Sequence, residues 1–406
     1  MDESPGNLAP LILKKGEERR LLAGHLWIYS NEIDTARSPL KAYAPGQPVE
    51  VISQRGQWLA HAYVNPHSLI AARVTGRQRA RPLDSAELLR RLQVAADLRA
   101  RLYPVPFYRW VYGESDALPG LVVDRYGAVA VVQINTAGME RRRDEIVEAL
   151  QSIGMLSGVL LRCDGESRAL ENLPPYVETG YGSVPAEVEI EENGIPFLAP
   201  LATGQKTGWF YDQADNRLRA RPLLNSGTVV DAFCYAGAWG VSAALAGAER
   251  VICVDSSQSA LEYARRNAER NGVAARMEFL RSDVADALRG MAGKLAPDAI
   301  VLDPPAFVKR KKDLDAGAAA YQRLNELALA LLPGGGFLAS CSCSQHVDRD
   351  AFLRLLQKAS RRADGELRLL WEGGQSPDHP IHPAMPETRY LKALFLQLAK
   401  PQAAAS

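Results

Sequence analysis

The chain has 406 residues, 47% of them hydrophobic and 23% charged, and a formal net charge of +1. That length predicts two or three domains, each able to bury its own core, and the composition excludes a disordered chain. No apolar run approaches the roughly 20 residues of a membrane span and no early stretch reads as a secretion signal, so a cytoplasmic location with no membrane partner is expected, while the near-neutral charge neither supports nor excludes nucleic acid.

Residues 1 to about 75 alternate in short apolar segments, Leu11-Ile12-Leu13, Pro48 to Ile52 and Leu59 to Val64, broken by Gly46, Gly56 and Pro66. This is the pattern of a small β-barrel. A basic, polar stretch from Gly76 to Pro82 reads as a linker. Ala86 to Leu102 has helical spacing with Ser85 as N-cap. Gly120–Asp124 and Ala128–Val132 read as a hairpin, Arg141–Ile153 as an amphipathic helix and Gly158–Arg162 as a strand. From about Val188 onward, strand-like runs (Val229–Asp231, Arg250–Asp255, Met277–Leu280, Ala299–Leu302) alternate with helical stretches (Trp239–Ala246, Ser257–Asn271, Ala316–Leu332). That rhythm predicts a doubly wound parallel α/β sheet.

In such sheets ligands bind outside the carboxyl ends of the strands. The first of these strands runs into Ala232-Phe233-Cys234-Tyr235-Ala236-Gly237-Ala238-Trp239-Gly240. With Ala236 in place of a glycine, the loop departs from the dinucleotide fingerprint and offers a pyrophosphate less close backbone approach. A cofactor without phosphates fits better. Phe233, Tyr235 and Gly237 line this turn. Asp255, with Ser256 beside it, closes the next strand where a carboxylate meets ribose hydroxyls, and Asp283 with the Val284 amide is placed to read adenine. S-adenosyl-L-methionine presents those groups. A capping role for Asp255 and Asp283 is the plainer alternative for each alone.

Two later strands end in Asp303-Pro304-Pro305-Ala306-Phe307 and in Cys341-Ser342-Cys343-Ser344, bringing a carboxylate and a thiol to one sheet edge. Carbon 5 of cytosine is a weak nucleophile until a thiolate adds at carbon 6, so this pair suits covalent methylation of that base. Asp303 would grip the base edge, and Phe307 would be free to stack on it. Both cysteines share one strand face, and the plainer reading of each is a buried small hydrophobe. The five cysteines and six histidines are otherwise dispersed, so neither a disulfide framework nor a metal site is expected. The cations Lys14 and Arg19 with Trp27, and Lys309-Arg310-Lys311-Lys312 beside Phe307, are candidate RNA contacts, a solvated face being the plainer reading of the first group.

Further stretches carry a resemblance. Lys15-Gly16 with His25–Tyr29, Ala62–Pro66 and Arg73, Gly113–Gly127, Gly204–Gln213 with Asn216-Arg217, Asp378-His379-Pro380, and Tyr390-Leu391-Lys392 together resemble the bacterial large-subunit ribosomal RNA methyltransferase I family over nearly the whole chain. These are S-adenosylmethionine-dependent enzymes that make 5-methylcytidine in 23S rRNA. The resemblance implies an RNA-binding PUA barrel at 1–76, a central α+β domain at 77–188 and a Rossmann-like class I methyltransferase domain at 189–406. It implies that Lys206, Thr207, Phe210, Asp212, Gln213 and Arg217 wrap the methionine end of the cofactor. It also puts the nucleophile on Cys343 and leaves Cys341 as an extra thiol.

The partner implied is 23S rRNA, with a homodimer left open. Where many RNA 5-methylcytosine enzymes outside the family carry a second cysteine, this chain has Ala306, so product release needs another base or water; His346 is one candidate. Two further readings stay open: methylation of another base or of an exocyclic amine without a thiol, and a non-catalytic RNA-binding or assembly protein.

Overall fold

The computed structural model describes residues 8–201, 204, 207–363 and 365–399. These form two compact units. Among the described residues, the first holds 8–188, 200, 201, 204, 207–209 and 377–388, and the second holds 189–199, 210–363, 365–376 and 389–399. The described residues of 200–209 and those of 377–388 thus group with the first unit. The expected blocks 1–76 and 77–188 fall together in that unit.

The first unit contains two five-stranded sheets. One is built from β1 (Ala9–Ile12), β2 (Trp27–Ile28), β3 (Gln47–Ile52), β4 (Trp58–Val64) and β5 (Ala72–Gly76), in the order β1-β3-β4-β5-β2. Its core is Leu11, Val49, Val51, Ala60, Ala62 and Val64. The other sheet is built from β6 (Phe107–Tyr112), β7 (Leu121–Tyr126), β8 (Val129–Ile134), β9 (Gly158–Cys163) and β10 (Tyr176–Gly182). Helix Ser85–Leu102 turns Leu88, Leu92, Ala95 and Ala96 inward at helical spacing. Its N-cap is Asp84, whose carboxylate accepts the Glu87 N–H at 2.8 Å, and Ser85 is already helical. Buried polar contacts join the two sheets. The Tyr63 hydroxyl donates to the Pro119 carbonyl at 2.8 Å, and Glu171 accepts from Arg73 at 2.7 Å and from the Asn65 amide at 2.7 Å. These contacts explain why the linker expected at 76–82 does not separate two bodies.

Strands β11 (Glu187–Glu192) and β12 (Ile195–Pro200) form a hairpin. The second unit is centred on β13 (Thr228–Ala232), β14 (Arg250–Asp255), β15 (Met277–Arg281), β16 (Ala299–Leu302), β17 (Phe337–Ser342), β18 (Glu366–Gly373) and β19 (Lys392–Ala399). Their order is β15-β14-β13-β16-β17-β19-β18. The sheet is not wholly parallel as expected, because β19 runs antiparallel to both β17 and β18. Strands β13, β16 and β19 are buried almost throughout and are mostly apolar, as strands covered on both faces must be, with Asp231 and Lys392 as buried charged exceptions. Among the described residues no helix is long and apolar enough to cross a membrane.

Side-chain parity assigns the two faces. Val230, Ala232, Ile300, Leu302, Leu338 and Leu394 pack with residues of helices Val284–Met291, Leu314–Leu331 and Arg349–Arg362. The register pairs Asp231 with Cys253 and Val301, and Val301 with Ala339. Asp231 and Cys341 consequently lie on the other face, and Asp303 and Cys343 follow the ends of β16 and β17.

Candidate active site

The strand order turns back between β13 and β16, which opens a crevice at their carboxyl ends. Ala232 pairs with Leu302 across it, so Phe233 and Asp303 emerge side by side, with the Asp303 N–H reaching the Ala232 carbonyl at 3.4 Å.

The loop after β13 has left-handed backbone at every second residue, with φ of +64° at Phe233, +48° at Tyr235 and +78° at Gly237. Left-handed backbone costs a residue with a Cβ roughly 1–2 kcal/mol, and such strain persists where surroundings enforce it, typically at functional sites. Here the enforcement is visible. The Phe233 and Cys234 N–H groups both donate to the Val254 carbonyl, at 2.9 and 3.1 Å. The Tyr235 N–H donates to Asp255 Oδ2 at 3.0 Å, and the Asn267 amide donates to the Ala236 carbonyl at 3.0 Å. A Cβ at Gly237 would lie 2.9 Å from the Ala264 Cβ, and one at Gly240 would lie 2.8 Å from the Cys253 Sγ. Both glycines are thus required by close approach.

Under the loop, Asp231 is fully buried. Its Oδ2 accepts the Gly240 N–H at 2.8 Å, and Oδ1 has no hydrogen-bond partner among the described residues. Burial, with Asp303 and Asp255 adding like charge, pushes its carboxyl up to about 7. Sequence reasoning placed Asp231 at a strand end and gave it no role. Asp255 Oδ1 accepts the Ser257 N–H at 2.9 Å. Ser257, not Asp255, caps helix Gln258–Arg270, whereas Asp283 does cap Val284–Met291, accepting the Asp286 N–H at 3.2 Å. Ser256 and Asp283 are exposed, and the Val284 side chain is buried.

Asp303 is gripped from two sides. Gln213 Nε2 donates to Oδ1 at 2.8 Å, and the Trp239 indole N–H donates to Oδ2 at 3.1 Å. Gln213 Oε1 accepts from Asn216 at 2.7 Å, which fixes the amide so that its NH2 faces the carboxylate. Burial raises the Asp303 carboxyl above the usual carboxylate range, against the lowering effect of the indole. The Trp239 contact was missed from sequence, although the residue lies in the loop already singled out.

Cys343 is half-buried, and its thiol donates to the Pro304 carbonyl at 3.8 Å. The thiol therefore lies against the residue that follows Asp303. Cys341 is buried, and burial together with Asp303 pushes its thiol well above the ordinary value. Behind Cys343, the Ser344 hydroxyl accepts the Val308 N–H at 3.0 Å and meets the Tyr321 hydroxyl at 2.9 Å, tying the Asp-Pro-Pro loop to the end of β17. Lys392 pairs with Ser342 across β19 and β17, and its ammonium donates to the Ser344 carbonyl at 2.6 Å and the Tyr390 carbonyl at 2.8 Å. Burial pushes it down to about 8, and the Cys343 charge acts in the opposite direction.

Asp212 and Arg217 lie close enough to Asp303 for their charges to act on its carboxyl. The Thr207 hydroxyl is buried in the first unit and donates to Asp124 Oδ2. Lys206 lies outside the described residues. Arg217 is buried and donates bidentately to Glu192, both contacts at 2.6 Å, and to the Phe210 carbonyl at 2.7 Å; this geometry holds the β11–β12 hairpin on helix Ala214–Ala220. Asp212 accepts the Tyr390 hydroxyl, and the Phe210 ring meets Tyr235 edge-on at 5.3 Å. Phe307 is not free as expected: its ring packs 4.7 Å from Tyr321. The Trp27 indole is half-buried and donates to Glu114 at 2.7 Å. Lys14, Arg19, Lys309 and Arg310 are exposed.

Residues 11–77 match the PUA-like domain family, and residues 178–396 match the S-adenosylmethionine-dependent methyltransferase family. A strained loop over an acidic floor at the switch point of a mixed seven-stranded sheet defines, with that match, a methyltransferase that uses S-adenosylmethionine. The fold is shared with a chain from Streptococcus mutans described as a SAM-dependent methyltransferase, at a TM-score of 0.81 and 22% identity, covering 96% of this chain and 100% of that one. Ribosomal RNA large subunit methyltransferase I of Yersinia pseudotuberculosis serotype O:1b (strain IP 31758) is 37% identical over 394 residues, 96% of this chain and 99% of that protein. The protein of that name from Yersinia pestis bv. Antiqua (strain Angola) is 37% identical over 388 residues, 94% of this chain and 97% of its own length. The chain belongs to the ribosomal RNA large subunit methyltransferase I family.

Proposed function

We propose that the protein transfers a methyl group to carbon 5 of a cytosine in 23S ribosomal RNA, with Cys343 as nucleophile and Asp303 as the group that holds the base. The observation carrying this reading is the meeting of two strand ends, the Cys343 thiol on the Pro304 carbonyl beside Asp303. The name of the relatives supports ribosomal RNA as the substrate. The exposed cations Lys14, Arg19, Lys309 and Arg310 suit contacts to its phosphates.

The acidic floor fits the cofactor. A buried carboxylate oxygen of Asp231 without a partner, near Asp255 and Asp303, suits a cation and ribose hydroxyls. Asp255 and Ser256 would hold the ribose, Asp283 and the Val284 amide the adenine, Phe233, Tyr235 and Gly237 the turn beneath, and Phe210, Asp212 and Gln213 the methionine end. Bound S-adenosylmethionine supplies an electrophilic methyl group.

The Cys343 thiolate adds to carbon 6, forming a carbon–sulfur bond and breaking the 5,6 double bond. The displaced electron pair leaves an enamine whose carbon 5 can accept the methyl group. Asp303 hydrogen-bonds the N3 and N4 edge, and its raised carboxyl favours sharing a proton with N3. After methylation the carbon 5 proton passes to water, residue 306 being alanine. The double bond then re-forms as the carbon–sulfur bond breaks and the thiolate departs.

RNA substituted with 5-fluorocytidine tests this directly. Its carbon 5 carries no removable proton, so the wild-type enzyme should be trapped as an adduct that survives a denaturing gel, and Cys343→Ala should yield neither adduct nor methylated product. Methylation that persists in Cys343→Ala would instead favour transfer to an exocyclic amine.

A further inference from the structure

We infer that the first unit carries a ribonucleotide-binding cavity that anchors the RNA strand. The inference rests on the RNA reading above and deepens it. The cavity has a volume of about 450 Å³, within the range of small-ligand sites, and its wall includes the stretch Val74–Gln78, Arg81, helix residues Glu87, Arg90 and Arg91, Glu114–Ser115 and His382. The Gly76–Pro82 segment, read from sequence as a linker, is therefore part of a cavity wall.

The charges on that wall are unbalanced. Glu87 is already committed, accepting from Arg90 at 2.7 Å and from Arg91 at 2.8 Å. The Arg90 hydrogen bond holds its carboxyl down at about 2. Glu114 accepts the Trp27 indole N–H at 2.7 Å and lies 3.9 Å from Arg73. Arg77 and Arg81, by contrast, form no ion pair among the described residues. Arg77 donates only to the His25 carbonyl, at 3.0 Å, and burial lowers its pKa. Two guanidinium groups at the rim thus lack an anion, and a phosphate is the anion their planar forks suit.

The interior provides for a base. Leu26 and Val74 are buried apolar side chains in the wall. The Ser115 hydroxyl has no hydrogen-bond partner among the described residues. His382 Nδ1 accepts the Ala384 N–H at 3.2 Å, and burial lowers the ring's pKa, so the neutral ring carries its proton on Nε2 as a donor. A strand of RNA is favoured over a free nucleotide because the exposed run continues beyond the cavity to Arg79, whose side chain is 70% exposed and lies 3.7 Å from Glu50, a surface pair that an adjacent phosphate can compete for.

The experiment measures binding of a 23S rRNA fragment against salt concentration in a Cys343→Ala background, where affinity does not depend on the chemistry at carbon 5. A wrong target base would change the methylation assay and leave this measurement untouched. The double variant Arg77→Ala/Arg81→Ala should weaken binding about tenfold or more and flatten the log–log salt slope by about 1–2, since each single-strand phosphate contact contributes roughly 0.7. Its melting temperature and S-adenosylmethionine affinity should stay at wild-type values, and Arg77→Lys/Arg81→Lys should restore part of the slope. Ser115→Phe fills the cavity and keeps all four arginines, and it should also weaken RNA binding. Unchanged RNA affinity in the double variant overturns the proposal. So does an unaffected Ser115→Phe, because the arginines would then act as surface charge alone. Micromolar binding of AMP lost in the double variant, with RNA affinity intact, overturns it in favour of a free nucleotide.

Discussion

Replacing Asp231 with asparagine should stabilise the protein in a pH-dependent way. The carboxyl lies at about 7 in the folded state against 3.8 for an unperturbed aspartate. At about 1.4 kcal/mol per pH unit, that difference places an ionisation penalty of order 4 kcal/mol on the fold above pH 7. The sign follows from proton counting. Between pH 4 and 7 the native carboxyl binds more protons than the unfolded one, so wild-type stability falls as pH rises through this window and levels off above it. Asparagine keeps an acceptor for the Gly240 N–H and cannot ionise. At roughly 2–4 °C per kcal/mol, the variant should melt on the order of 8–16 °C above wild type at pH 8, with the gain shrinking towards pH 5. Asp303 and Asp255 share the electrostatic burden, which keeps the expected shift towards the lower half of that range. Melting scans of both proteins from pH 5 to 8 supply the test, and parallel curves would refute the argument. Calorimetry should show weaker S-adenosylmethionine binding by the more stable variant, because the negative floor that strains the apo fold is what a cationic cofactor meets.

Cys341→Ala should retain methylation within a few fold and lower stability by roughly 1 kcal/mol, as a small buried truncation does; loss of all activity would show that Cys341 takes part in the chemistry. Lys392→Met removes a buried positive charge beside Cys343, so the pH midpoint for iodoacetamide modification of Cys343 in a Cys341→Ala background should rise by about 1 pH unit, and an unmoved profile would disprove the electrostatic link. The ammonium, lowered to about 8, binds fewer protons in the native state than unfolded between pH 8 and 10.5, so wild-type stability should climb across that interval and Lys392→Met should lose the slope. Gly237→Ala places a Cβ at φ +78° and 2.9 Å from Ala264, and denaturant titration should register a loss of at least about 1–2 kcal/mol together with weakened cofactor binding.

The alternation of apolar runs and helical stretches made the second unit's sheet legible, because strands buried on both faces carry a dense local signal, as β13 and β16 do. The direction of β19 was not legible. Lys392–Ala399 reads the same whether it runs with or against β17, and only the tertiary path decides. At the candidate site, Asp303 and Cys343 stand out in the sequence because each follows a strand at a recognisable motif. Trp239 and Lys392 act through contacts separated by 64 and 48 residues in the chain, beyond the reach of any spacing rule. Thr207 and Phe307 show the opposite limit. Thr207 was singled out by the resemblance and Phe307 by its aromatic ring, and neither signal carried the contacts to Asp124 and Tyr321 that the two residues make.

The position of β19 between β17 and β18 has a consequence for biosynthesis. A ribosome making this chain produces β13 to β17, with both the acid and the thiol, well before residues 392–399 exist. Until that last strand emerges and slots in, β17 is an uncovered edge and no ammonium lies behind its end. The candidate site is therefore completed late, and a nascent polypeptide holding every strand-end motif would still lack the strand that covers β17 and brings Lys392 to the Ser344 carbonyl.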